Sequence, residues 1–220
     1  MKGLFPIWAA GSVAAITAVS LTWWDAGDVP HSSLSLVAAA TGMMYTMLAG
    51  RGFIACYAFG LVNAPLYAYL SFRWGYYGDM ALNLYYFVMM FPGLVCWRRN
   101  LVGRKEIVRT RLSARERLVW SAALIVATAA LWTVLVALNG SRPLCDAFTN
   151  VLSIAAMILT VRRCIEQWVM WIAVDAVELA MWWKAGSGSM AILAMWTLFL
   201  VDGLYLFGLW VGDMKRQKLV

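Results

Sequence analysis

Charge is scarce in this chain. Only 13% of its 220 residues are Asp, Glu, Lys or Arg, while 63% are hydrophobic. A soluble domain sits near half apolar, so a sizeable soluble domain is excluded. The longest polar stretch is only Arg98 to Arg117. Histidine occurs once, His31, in a predicted loop, and suggests no metal centre. The four cysteines, Cys56, Cys96, Cys145 and Cys164, have no paired spacing. They exclude a disulfide framework or a Cys-based metal motif and read as small apolar residues in helices. A phosphate-binding Gly-x-x-x-x-Gly-Lys-Ser/Thr is also missing. Gly186-Ser187-Gly188-Ser189 lacks the Lys, so the chain shows no way to use ATP. No catalytic constellation and no cofactor site is legible. Asp175 and Glu178 are the only handle an intramembrane enzyme would have.

What is present is apolar and aromatic: thirteen Trp, thirteen Met and a mean hydropathy of +0.73. This composition describes a polytopic, all-α membrane protein. Eight spans are expected at about 4–24, 34–50, 52–72, 78–97, 118–138, 144–161, 165–184 and 190–212, near the ~20 residues a helix needs to cross. The first follows Lys2 and shows no clear small-residue cleavage site, so it reads as a retained helix rather than a signal peptide. Ala-Gly-Arg-Gly (49–52) makes the second and third spans a tight hairpin.

The net charge of +7 would suit nucleic acid, but its placement argues otherwise. With the N-terminus inside, the inner segments hold Lys2, Arg51, eight residues of 98–117, Arg162, Arg163, Lys215, Arg216 and Lys218. The outer side keeps only Arg73, Arg142 and Lys184. This is the positive-inside pattern, with both termini cytoplasmic and no nucleic-acid partner. The 98–117 loop is expected to rest on anionic lipid headgroups.

A shift of 112 residues brings Arg51 onto Arg163, Phe59 onto Trp171, and Val62-Asn63-Ala64 onto Val174-Asp175-Ala176. With one residue of slippage, Arg73-Trp74-Gly75 meets Lys184-Ala185-Gly186, and Pro92 meets Gly203. The repeat unit is three helices, spans 2–4 and 6–8, with span 5 restoring direction. Parallel repeats are a known transporter plan with the site near the midplane at their interface. Residues 1–33 then form an extra N-terminal spanning helix and 34–97 a first three-helix bundle. Residues 98–143 form the basic cytoplasmic loop and linker helix, and 144–220 a second bundle with a cytoplasmic tail. Asn63 and Asp175 are expected to face each other across the interface.

One helix carries acids where lipid forbids them. Trp168, Trp171, Asp175, Glu178 and Trp182 step by three and four and share one face. A carboxylate at bilayer depth costs several kcal/mol unless it meets protein, water or ligand. No Lys or Arg lies in the middle of any span, which leaves protonation or a cationic ligand. A cation over Trp gains roughly 0.5–2 kcal/mol, and Trp171 is the deepest of the three indoles. Asn63, Asn83, Tyr67 and Tyr86 either orient a ligand or join helices. Asp202, near the centre of the last span, is a third buried acid.

These residues resemble a known pattern. Arg163-x-Ile165-Glu166-Gln167-Trp168-x-x-Trp171-x-x-x-Asp175 is similar to the Trp-x-x-Trp-x-x-x-Asn/Asp helix of the PnuC family of vitamin transporters. Tyr77-Gly78-Asp79-x-x-Leu82-Asn83-x-Tyr85-Tyr86 and Asp146 through Ser153 resemble two further stretches of that family. The match covers about residues 34–215.

The resemblance implies a three-plus-one-plus-three architecture like a full-length SWEET transporter, in a bacterial inner membrane. It implies facilitated diffusion of an unphosphorylated vitamin, trapped afterwards by a cytoplasmic kinase, and a homotrimer by analogy. Family branches take nicotinamide riboside, thiamine, riboflavin or deoxynucleosides. Met90 stands where the nicotinamide riboside branch usually has Gln, and Met157 near another. Gly93-Leu94 replaces Gly-Trp, and Glu178 is an added acid. Lost amides remove partners for ribose hydroxyls, so thiamine is narrowly favoured and nicotinamide riboside is the alternative. A proton-coupled carrier using Asp202 or Glu178, and a receptor or scaffold using the 98–117 loop, are other readings.

Overall fold

Among the described residues eight helices follow one another: α1 Phe5–Leu21, α2 Val29–Arg51, α3 Cys56–Arg73, α4 Tyr77–Arg99, α5 Ala114–Ala137, α6 Pro143–Val161, α7 Glu166–Trp183 and α8 Met190–Gln217. The computed structural model describes residues 4–102, 106–183 and 190–217. Lys2, Arg104, Lys105, Lys218 and the turn 184–189, which holds both the Gly186–Ser189 segment and the Lys184-Ala185-Gly186 match to Arg73-Trp74-Gly75, lie outside the described residues. The helix starts follow local chemistry. Proline opens α1, α2 and α6, where its missing N–H costs nothing. Asp28 caps α2, and Ser113 with Glu116 forms a reciprocal capping box on α5.

Five helices, α2, α4, α5, α6 and α8, are long and apolar enough to cross a membrane, and α1 is a shorter apolar helix. The expected eight spans therefore appear as eight helices, of which α3 and α7 fall below the hydropathy of the rest. Both are middle helices: α3 packs on α2 and α4, and α7 on α6 and α8. The two sets touch through α4 against α6 and α2 against α8. α5 packs on α6 and buries no residue of its own.

The two contacts between the sets use one device. Trp97 of α4 donates its indole N–H to the Thr160 carbonyl of α6 at 2.9 Å. Trp210 of α8 donates to the Gly50 carbonyl of α2 at 2.7 Å. Each acceptor lies in the last turn of a helix, where carbonyls lack an intrahelical partner. Each indole also takes the edge of an aromatic from the middle helix of its own set. Tyr57 meets Trp97 at 5.2 Å and 88°, and Trp168 meets Trp210 at 6.1 Å and 70°.

The α2–α3 and α6–α7 turns are built alike. Gly52 donates to Ala49 and Phe53 to Leu48; Arg163 donates to Thr160 and Cys164 to Leu159. Cys56 then donates to Phe53, as Gln167 does to Cys164. Gly52 and Arg163 both take positive φ, 73° and 61°, the left-handed cap that ends a helix. The register of these turns is 111 residues, one less than the sequence expectation. In it Asn63 aligns with Val174, and Asp175 with Ala64.

α1 docks on α2 and α8. Asp202 of α8 accepts from Trp8 Nε1 at 2.7 Å and Ser12 Oγ at 2.9 Å, and Trp8 stacks on Tyr205 at 4.6 Å. The 98–117 loop is not all irregular. Leu101–Val102 (β1) and Glu106–Ile107 (β2) pair antiparallel as a small hairpin.

Close helix approach needs glycine at Gly93. A Cβ there would sit 2.5 Å from the Tyr57 ring, which is buried and pinned against Trp97. Gly93→Ala should therefore cost about 1–3 kcal/mol as overpacking, read as a lower unfolding midpoint in detergent. Gly11→Ala, with nothing within 4 Å of its added Cβ, should be neutral or slightly stabilising. Equal midpoints for the two variants would show that the ring yields.

Candidate functional site

The acidic helix α7 meets α4 and α6 in the space between the two sets. Trp171 is half-buried, its ring centroid 6.1 Å from Tyr86 of α4 at 65°. Its indole N–H lies 3.5 Å from Thr160 Oγ1 of α6, which orients the ring. One turn further on is Asp175, only 8% exposed. Its carboxylate accepts no hydrogen bond among the described residues. Gly203 of α8 makes the room: a Cβ there would stand 3.7 Å from Asp175 Oδ2 and 3.2 Å from Ile172. α8 runs through Gly203 without a break, and the glycine lets it pass close to Ile172 beside the acid.

Glu178, a turn beyond, is half-buried and within hydrogen-bonding reach of Thr149 and Trp182. Ser153 of α6 reaches Tyr86 in the same way. Thr149, Ser153, Met157 and Thr160 recur at helical spacing and give α6 a hydroxyl-bearing face. Tyr45 of α2 was not anticipated from the sequence. Its hydroxyl has a thioether as partner, Met157 Sδ at 3.9 Å, and its ring lies by Gly60 with Met90. A lone Tyr in an apolar helix has no motif to announce it.

The other predicted residues are placed differently. Trp168 is 4% exposed and packs on Trp210 below the site rather than lining it. Met90 and Met157 are buried to 3% and 2% exposure, forming a floor with Tyr45. Asn83 of α4 bonds back to the Asp79 carbonyl of its own helix at 2.8 Å. Tyr67 lies on α3, half-buried, in the helix that packs on α2 and α4. Asn63 donates to the Ala38 carbonyl of α2 at 2.7 Å and fills the space over Gly42. It is held within the first set, not across from Asp175, as the one-residue change of register requires. Asp202 faces α1 through Trp8 and Ser12.

Access to this space is graded. On the side of the basic loop it is closed by Tyr57, Trp97, Ile107 and Trp210, each at most 1% exposed. On the other side exposure rises from Asp175 through Glu178 to the exposed Asp79. An apolar groove of about 680 Å³ lies elsewhere, between α5, α6 and α7, and contains none of these candidates. Among the described residues no cluster of His, Cys, Asp or Glu could hold a metal. A buried carboxylate without a donor, beside two aromatic rings and several hydroxyls, can receive a flat cation bearing hydroxyl groups.

Comparison with known proteins gives consistent results. The family model for the nicotinamide mononucleotide transporter matches residues 32–211. A nicotinamide riboside transporter PnuC of Neisseria mucosa is 34% identical over 86% of this chain and 76% of its own length. The protein of that name from Haemophilus influenzae is 27% identical over 89% of this chain and 86% of its own. A crystal structure of the vitamin B3 transporter PnuC superposes with a TM-score of 0.79 at 32% identity, covering 97% of this chain and 92% of that one.

The geometry separates residues that join helices from residues free to meet a ligand. Asn63→Ala should lose the bond to Ala38 and about 0.6–1.7 kcal/mol of stability, with the ligand affinity of the folded variant unchanged. Thermal unfolding and calorimetric titration of the same sample check this. A lost affinity with an unchanged midpoint would put Asn63 among the ligand's contacts.

Proposed function

The chain belongs to the nicotinamide mononucleotide transporter family, and from that membership we propose that it takes up nicotinamide riboside across a bacterial inner membrane. It is a multi-pass helical transporter and not an enzyme. The observation that carries the substrate reading is the buried Asp175 carboxylate, without a protein donor, one turn from Trp171 and beside Tyr86. Nicotinamide riboside brings a permanent pyridinium charge, a flat ring and ribose hydroxyls. The charge meets Asp175, and the ring stacks against Trp171. The hydroxyls find Tyr45, Ser153 and Thr149, with Glu178 at the outer edge.

This revises the preference for thiamine. Met90 and Met157 in place of amides remove two partners for a sugar at the motif positions. The hydroxyl-bearing face of α6 and the Tyr45 hydroxyl supply partners that the motif positions did not reveal. The relatives bearing the riboside name support the same choice. Movement is by facilitated diffusion: two parallel three-helix repeats rock about the central site, and a cytoplasmic kinase traps the product. Asp202, bound by Trp8 and Ser12, does not supply a proton path in this reading.

Calorimetric titration of the purified protein with nicotinamide riboside, thiamine, riboflavin and a deoxynucleoside tests the assignment. Nicotinamide riboside should bind saturably and the others at least about tenfold more weakly, the discrimination that one lost set of polar contacts gives. Trp171→Ala and Asp175→Ala should each abolish saturable binding in folded protein. Thiamine binding more tightly, or unchanged affinity in both variants, would sink the reading.

A further inference from the structure

The segment Ile107–Leu112 runs across the closed end of the molecule and is bonded to both three-helix sets. At one end Ile107 N–H donates to the Gly52 carbonyl in the α2–α3 turn at 3.1 Å. Arg109 Nη2 donates to the Arg51 carbonyl at 2.9 Å and pairs with Asp213 of α8 at 3.0 Å. The guanidinium lies 5.2 Å from the Trp210 ring centroid, and its side chain is only 1% exposed. Gln217 of α8 accepts from Arg109 N–H at 3.3 Å. At the other end Thr110 donates to the Arg163 carbonyl and accepts from Ile165 N–H, both at 2.9 Å. Thr110 Oγ1 donates to the Arg162 carbonyl, Arg163 Nη1 donates to the Val108 carbonyl, and Leu112 N–H donates to Glu166.

The two attachments therefore join the two turns that are built alike, one from each set. They differ in kind. The Thr110 end is a short backbone ladder, and breaking it leaves several buried peptide groups without partners. The Arg109 end reaches the first set through a single backbone bond, Ile107 N–H to the Gly52 carbonyl, and a long side chain that can release and re-form by rotamer changes. A buried ion pair of this kind specifies one arrangement strongly and collapses when one partner goes.

We propose that residues 107–112 are a strap holding the two three-helix sets together on the basic-loop side, with Arg109 as its latch. Access to the site from that side requires the Arg109 end to let go of the α2–α3 turn, while the Thr110 end stays attached to the α6–α7 turn and Asp213 keeps Arg109 on α8 of the same set. The proposal rests on the transport reading above. It makes Arg109 a positioning residue, acting through Asp213 and Trp210 and never touching the ligand. It also gives the Trp210–Gly50 bond a partner that breaks in the same movement, since Arg109 covers that indole.

Two native cysteines report on the two ends. Cys56 begins α3 beside the Gly52 attachment and is fully buried. Cys164 is 3% exposed, with its sulfur 3.4 Å from Thr110 Oγ1. In a Cys96→Ser, Cys145→Ser background, maleimide labelling without substrate measures how often each end opens. Asp213→Asn should speed Cys56 labelling by about tenfold or more, as expected for loss of one partner of a buried pair, and leave Cys164 protected. Unchanged Cys56 labelling overturns the latch, and equal acceleration of both cysteines overturns the asymmetry.

Arg109→Gln with Asp213→Asn removes both charges and keeps the test available if the single variant does not fold. Separately, Thr110→Cys can be oxidised onto Cys164. Uptake into proteoliposomes should survive that cross-link, because this end does not release. Uptake that stops on oxidation and returns on reduction overturns the proposal. The labelling is read without substrate, so its failure would leave the assignment of the ligand untouched.

Discussion

Two indole N–H groups hold the two halves of this protein together. Trp97 reaches the end of α6 and Trp210 the end of α2, each capping a helix of the opposite set. Within a membrane no water is available to satisfy a loose carbonyl, so such a bond also removes a polar group from an apolar medium. The two donors are exchanged reciprocally, one from each set to a last-turn carbonyl of the other. Together with the Tyr85 hydroxyl on the Ile154 carbonyl, this exchange frames the space in which the candidate site lies.

That frame shapes the site's chemistry. Buried aromatics and Ile107 close one side, and the other side opens by degrees toward Glu178 and Asp79. Gly203 lets α8 pass close to Ile172 and lie alongside Asp175. A charge left in this state is unfavourable until something positive arrives. The three acids near the midplane therefore play different parts. Asp202 ties α1 to α8, Asp175 is held unpaired, and Glu178 lies near Thr149 and Trp182.

The basic loop shows how a reading of charge in bulk misses what individual side chains do. The count of Lys and Arg placed it on one side of the chain. Yet Arg109 is buried with Asp213, and Arg117 pairs with Glu166 at 2.8 Å. These two are structural connections, not a lipid-facing surface. No local pattern distinguishes them from Arg98 or Arg115, because their partners lie about fifty to a hundred residues away.

The apolar runs alone determined eight helices, their rough limits and the hairpin at residues 49–52, since backbone satisfaction in a membrane leaves little choice. Helical spacing alone determined that Trp171, Asp175 and Glu178 share a face, and the resemblance carried by that helix named the right family. The register of the repeat was legible only to within one residue. That single residue separated Asn63 from Asp175, because a one-residue shift turns a helix by about 100°. Only tertiary structure decided which polar residues are already taken by other helices, and that the deep Asp175 is not among them. Those outcomes depend on contacts between α2, α4, α6 and α8 that are distant in sequence, and no local propensity encodes a distance between helices.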